Sequence, residues 1–152
     1  MRWITRERPK IDRIACPWLI KKFVDTDAQF LYVPKEKVLS VAEEQDAIPY
    51  DIAGVELTHV GDLCSFDAFI KKYRLTDPAL FRLASIVRAA DTDTLEKSPQ
   101  ASGLLAITLG LSANIQDDLK MLEVGMLIYD ALYSWCKEHI QVKHGWDPAT
   151  TV

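Results

Sequence analysis

Met1-Arg-Trp-Ile-Thr-Arg-Glu-Arg-Pro-Lys-Ile-Asp-Arg-Ile-Ala-Cys-Pro-Trp18 opens the chain, and its reading decides the fold. Trp3 and Ile4 give a short apolar strand that runs to Thr5. Ile11, Ile14, Ala15, Trp18, Leu19 and Phe23 then recur at helical spacing, which predicts a helix from about Arg13 to Val24. Pro17 lies inside that pattern. Proline is tolerated in a first helical turn, where the N–H it lacks has no partner to lose. The helix therefore starts near Asp12 or Arg13, with Cys16 in its first turn. Phe30–Val33 reads as a second strand, ended by Pro34. Strand, helix, strand predicts a right-handed parallel crossover.

Working outward, Glu36–Gln45 reads as a second helix. Tyr50–Thr58 alternates apolar and polar residues on either side of Ala53-Gly54, which predicts a hairpin ending at His59. From there the chain is helical. Ser65 caps a helix carrying Phe66, Phe69, Ile70 and Tyr73. Asp77-Pro78 and Ser98-Pro99 are cap-then-proline starts of two more. A last helix runs from about Asp117 to Ile140. The fold class is α+β: a small N-terminal α/β part of about four short strands, with a β-α-β crossover and a hairpin, fused to a C-terminal helical bundle. Residues 1–152 form a single domain, as the length suggests.

Charge is polarised. Residues 1–22 hold seven Lys/Arg and two acids, a balance of +5 in a chain whose net charge is −4. The acidic remainder argues against nucleic acid as the main partner. The longest apolar stretch, Met121 to Cys136, is interrupted by Glu123, Gly125, Asp130 and Ser134 and falls short of the ~20 residues that span a bilayer. The charged N-terminus has no apolar segment of a signal peptide. Three widely spaced cysteines, Cys16, Cys64 and Cys136, point to a reducing, cytoplasmic setting rather than a disulfide framework.

Several constellations carry chemistry. Arg6, Arg8 and Arg13 converge on a helix start, where unpaired N–H groups and the helix dipole favour anions; this is a candidate oxyanion site. Cys16, in the first turn beside Arg13, is a candidate nucleophile if the dipole and the guanidinium favour its thiolate; the alternative is a buried, inert thiol. Glu56, His59, Cys64 and Asp91 are candidate ligands for a divalent transition metal, zinc or similar, with Asp51, Asp67 and Asp93 nearby in sequence. Arg88 and Asp91, three apart on a helix, favour pairing with each other. Cys136 belongs to an apolar helix and reads as inert. His139, His144 and Trp146 close the chain.

Longer motifs carry a resemblance. Thr5–Ile20, Gly54–Asp67, Ile86–Thr92, Pro99–Leu105 and Tyr129–Cys136 are similar to the bacterial chromate-resistance protein family, described as the chromate resistance exported protein domain. The similarity covers nearly the whole chain. It implies a role in chromate resistance through sensing, binding or lowering the burden of this oxyanion, with no agreed catalytic mechanism. Longer relatives carry an N-terminal extension and act as regulators; the chain reads as a single-domain member, so DNA binding is not carried over.

Three functions stay open. One is a cytoplasmic domain binding chromate or a sulfate-like oxyanion through Arg6, Arg8 and Arg13. Another is a metal-dependent enzyme built on His59, Glu56, Cys64 and Asp91. The third is an interaction module whose polar clusters are structural. The order of the helices also predicts that His59 lies in the main polar cleft with Asp91 in reach, because two short consecutive helices pack antiparallel and return Asp91 towards Cys64.

Overall fold

The structure is a computed structural model, and the residues it describes are 1–138. His144 and Trp146, and His139 before them, lie outside the described residues.

Strand β1 (Arg2–Arg6) is the centre of a parallel three-stranded sheet. Its neighbours are β2 (Gln29–Val33) and β3 (Ala47–Pro49), in the order β2-β1-β3. Trp3 pairs with Phe30 on one side and Ile48 on the other. Successive strand residues face opposite sides, and here both sides are buried. Trp3 enters the main core with helix α1 (Asp12–Leu19) and the later helices. Ile4 enters a smaller core with Val38 and Ala42 of helix α2 (Val38–Gln45).

The expected helix at Arg13–Val24 forms as α1 followed by a π-helical turn, Ile20–Val24. Pro17 sits in the second turn of α1, deeper than its chemistry prefers. Its missing N–H leaves the Arg13 carbonyl without a helical donor. The Tyr32 hydroxyl on β2 donates to that carbonyl at 2.7 Å, so the group freed by proline is satisfied from the sheet.

Helices α3 (Ser65–Lys72), α4 (Pro78–Asp91), α5 (Pro99–Asn114) and α6 (Asp118–Glu138) complete the fold. Asp77 caps α4 as expected, accepting the Ala79 N–H at 2.9 Å. Helix α6 crosses α1 at Gly125, where a Cβ would run into the Ile14 side chain. Among the described helices none is long and apolar enough to cross a membrane.

Two expectations fail. No hairpin forms over Tyr50–Thr58, so the described sheet has three strands rather than about four. The alternation records burial instead of strand pairing: Tyr50, Ile52 and Leu57 are buried, but Asp51 and Gly54 take positive φ of 53° and 84° and bend the chain into turns. The third strand lies just upstream, at Ala47–Pro49, parallel to β1. The cap of α3 is Cys64 rather than Ser65. Asp67 Oδ2 accepts the Cys64 N–H at 3.0 Å, while both polar groups of Ser65 are taken by carboxylates.

Candidate functional site

The connection after β1 runs through α1 on one face of the sheet, and the chain from β2 reaches β3 through α2 on the other. Open parallel sheets bind ligands beyond the carboxyl ends of strands where connections diverge in this way. Arg6 ends β1, Asp51 follows β3, and Asp12 begins α1. The cluster forms there.

His59 stands in the loop before α3, not at a strand end, and is its focus. Its Nε2 lies 2.8 Å from Asp91 Oδ2, 3.3 Å from Asp12 Oδ2 and 3.4 Å from Asp51 Oδ1. Asp91 ends α4, and the return of that helix brings it to His59 across 32 positions of sequence. Asp12 is fully buried; its Oδ2 also accepts the Ser65 N–H at 2.7 Å, and its Oδ1 has no hydrogen-bond partner. Asp51 Oδ1 accepts the Ser65 hydroxyl at 2.7 Å. One residue at the start of α3 therefore orients two carboxylates.

Charge coupling follows from this crowding. The hydrogen bond with Asp12 raises the His59 pKa to about 9, with the charges of Asp12, Asp91 and Asp51 outweighing partial burial. Burial, then the charges of Asp12 and Asp51, lift Asp91 to about 7. Burial and Asp12 push Asp51 up as well. Three carboxylates this close resist simultaneous ionisation.

The three arginines separate. Arg6 and Arg13 both approach Asp51 Oδ2 at 3.6 Å. Arg13 is largely buried and also donates to the carbonyls of Arg6 and Glu7; burial and the Arg6 charge lower its pKa, offset by Asp51 and Asp91. Arg6 is more open, its Nε has no partner, and it lines a pocket of about 300 Å³ with Lys35, Asp51, Thr58 and His59. Arg8 leaves the group altogether. Its guanidinium donates to the carbonyls of Ser112, Ile115 and Gln116 and to the Ser112 hydroxyl, at 2.5–3.2 Å, at the end of α5. A positive φ of 55° turns it that way. Its donors are spent on helix carbonyls, a structural use that the count of cations could not reveal.

Cys16 is the fifth residue of α1, past the expected first turn, and is fully buried. Burial and the nearby carboxylates of Asp12 and Asp51 push its thiol well above the ordinary range, the reverse of thiolate activation. Cys64 is also buried and its thiol raised by burial first and Asp12 second; Sγ approaches Asp67 at 3.4 Å. Glu56 is exposed and paired with Lys72. Of the four expected metal ligands, then, His59 and Asp91 meet, whereas Glu56 and the Cys64 thiol are engaged elsewhere. Arg88 does not pair with Asp91; it grips Asp67 with two nitrogens, at 2.9 and 2.5 Å. Asp12 is the residue the sequence reading missed. Its signal was a lone acid at a helix start inside a run of cations.

A cation could bind between Asp12, His59 and Asp91, whose ligand atoms lie within 4.8 Å of one another. An anion could meet the pocket lined by Arg6 and Lys35.

Comparison with known proteins places these residues in context. The family model described as ChrB, C-terminal domain matches residues 3–136. Protein ChrB of Cupriavidus metallidurans (strain CH34) is 32% identical over 133 residues, which cover 87% of this chain and 40% of that protein. The chain thus spans well under half the length of this curated relative. No solved structure matches.

Proposed function

Because the chain belongs to the ChrB C-terminal domain family, the chromate-resistance family, we propose that it serves chromate resistance by holding a small tetrahedral oxyanion in the pocket lined by Arg6, Lys35 and His59. The observation that carries this reading is Arg6. It is a partly exposed guanidinium at the carboxyl end of the central strand, with an Nε that finds no acceptor. Its only carboxylate contact is a 3.6 Å approach to Asp51 among the described residues. Guanidinium donors match a tetrahedral dianion well. Lys35 and His59 add positive charge at the same opening. The reading places the domain in the cytoplasm, where its three free cysteines would stay reduced.

The test is thermal unfolding in rising sulfate and chromate. A specific site stabilises by RT ln(1 + [L]/Kd), about 2.7 kcal/mol at 100 Kd. Arg6→Gln should remove the saturable rise in Tm for both anions. An unchanged rise in that variant rules out the pocket.

A further inference from the structure

We propose that Asp12, His59 and Asp91, with Asp51 beside them, form a binding site for a divalent transition-metal ion. The proposal uses the carboxylate floor of the cluster and shares His59 with the oxyanion reading, whereas Arg6 and Lys35 belong to the anion pocket alone.

Three observations carry it. First, His59 Nε2 faces three carboxylate oxygens at 2.8, 3.3 and 3.4 Å. The imidazole N–H serves one of them and Ser65 holds the other two, so three carboxylate oxygens and a ring nitrogen are gathered around one point. Secondly, Asp12 is fully buried and its Oδ1 has no donor, although Oδ2 receives the Ser65 N–H. A buried carboxylate oxygen without a partner is costly, and a cation in the group would supply one. Thirdly, the ligand atoms of Asp12, His59 and Asp91 lie within 4.8 Å of one another, a spread that small side-chain rotations bring to metal–ligand bonds of about 2.0–2.2 Å.

The surroundings suit the same role. Ser65 fixes Asp12 and Asp51 through its N–H and hydroxyl, the kind of support that holds ligands in place around a metal. His59 is two-fifths exposed, which leaves an entry path. One imidazole with carboxylate oxygens suits Mn²⁺, Fe²⁺ or Zn²⁺ and not Cu(I), since the Cys64 thiol is turned to Asp67 and adds no soft ligand.

The experiment titrates Mn²⁺ and Zn²⁺ into the full chain after chelator treatment, read by calorimetry and by the Mn²⁺ resonance signal. One equivalent should bind. His59→Gln and Asp91→Asn should each weaken binding by about 10–100-fold or more, while Arg6→Gln binds like the parent. Asp91→Asn removes one of three crowded charges, so without metal it should melt no lower than the parent. That combination, binding lost with stability kept, separates a metal ligand from a structural group. Absence of stoichiometric binding in the parent overturns the proposal. So does parental affinity in both His59→Gln and Asp91→Asn, or a lowered melting temperature for metal-free Asp91→Asn. Arg6→Gln distinguishes the two readings: loss of the sulfate response with Mn²⁺ binding intact leaves each to stand or fall alone.

Discussion

Arg8 offers the sharpest division between an anion contact and a clamp. Its side chain donates to Ser112, Ile115 and Gln116 carbonyls, while its backbone N–H donates to Asp118 Oδ1 at 3.2 Å. It therefore ties the β1–α1 loop to the turn between α5 and α6. A hydrogen bond to a charged group contributes about 1.5–3 kcal/mol, but these sites are only partly buried and water can replace some of the donors. A cation at a helix C-terminus adds about 0.3–1 kcal/mol. Counting one such bond in full and the others as rehydrated, Arg8→Gln should cost about 2–3 kcal/mol. For a chain of this length that lowers Tm by roughly 5–10 °C. Differential scanning calorimetry with and without sulfate gives both quantities at once. The variant should melt lower and keep the sulfate-induced rise. An unchanged baseline Tm combined with a lost sulfate response would refute the clamp and return Arg8 to the anion site.

Two further outcomes follow from packing and protonation. Gly125→Ala places a methyl against Ile14 Cγ2; overpacking of about 1–3 kcal/mol outweighs the ~1 kcal/mol gained in helix propensity, so urea unfolding should show a net loss. Combining it with Ile14→Leu, which has no Cγ2 branch, should cost less than the sum of the two changes. In metal-free protein, Asp91 and His59 both have folded pKa values above their ordinary ones, about 7 against 3.8 and about 9 against 6.5. The native state then holds more protons than the unfolded chain between about pH 4 and 9. Their contribution is complete below the unfolded values and is lost as pH rises through 7 and then 9. Tm should fall across that interval, and Asp91→Asn should flatten its lower half; a Tm that climbs from pH 6 to 9 in the parent, with the same slope in the variant, contradicts the coupling.

The sequence was most legible where local chemistry and packing agree. Trp3 and Ile4 form the central strand, and Asp77-Pro78 starts α4, because strand propensity and capping need nothing distant. It misled where tertiary contacts reassign a group. Tyr50 to Leu57 alternates as a hairpin does, yet Asp51 bends away at positive φ to meet Ser65 and His59. Ser65 looks like a cap, but its donors go to Asp12 and Asp51 and the cap falls to Cys64. Arg88 has a partner three residues on and takes Asp67 instead, through two nitrogens. The meeting of His59 with Asp91 could be inferred from helix order; the presence of Asp12 could not, because its role depends on a loop 47 positions later.

The spacing of the cluster limits how this chain can be divided. Its four acidic and imidazole groups come from positions 12, 51, 59 and 91, and the residue that aligns two of them from position 65. A fragment ending at the sheet keeps Asp12 alone of these groups, and one beginning at the bundle keeps Asp91 alone, so neither keeps their arrangement. Whatever occupies the centre would pin the first crossover to the fourth helix, two elements of the main apolar core, and to Asp51 in the loop after β3. Occupancy and integrity of the whole are therefore one equilibrium, and protease resistance at sites remote from the cluster becomes a measure of ligand bound at it.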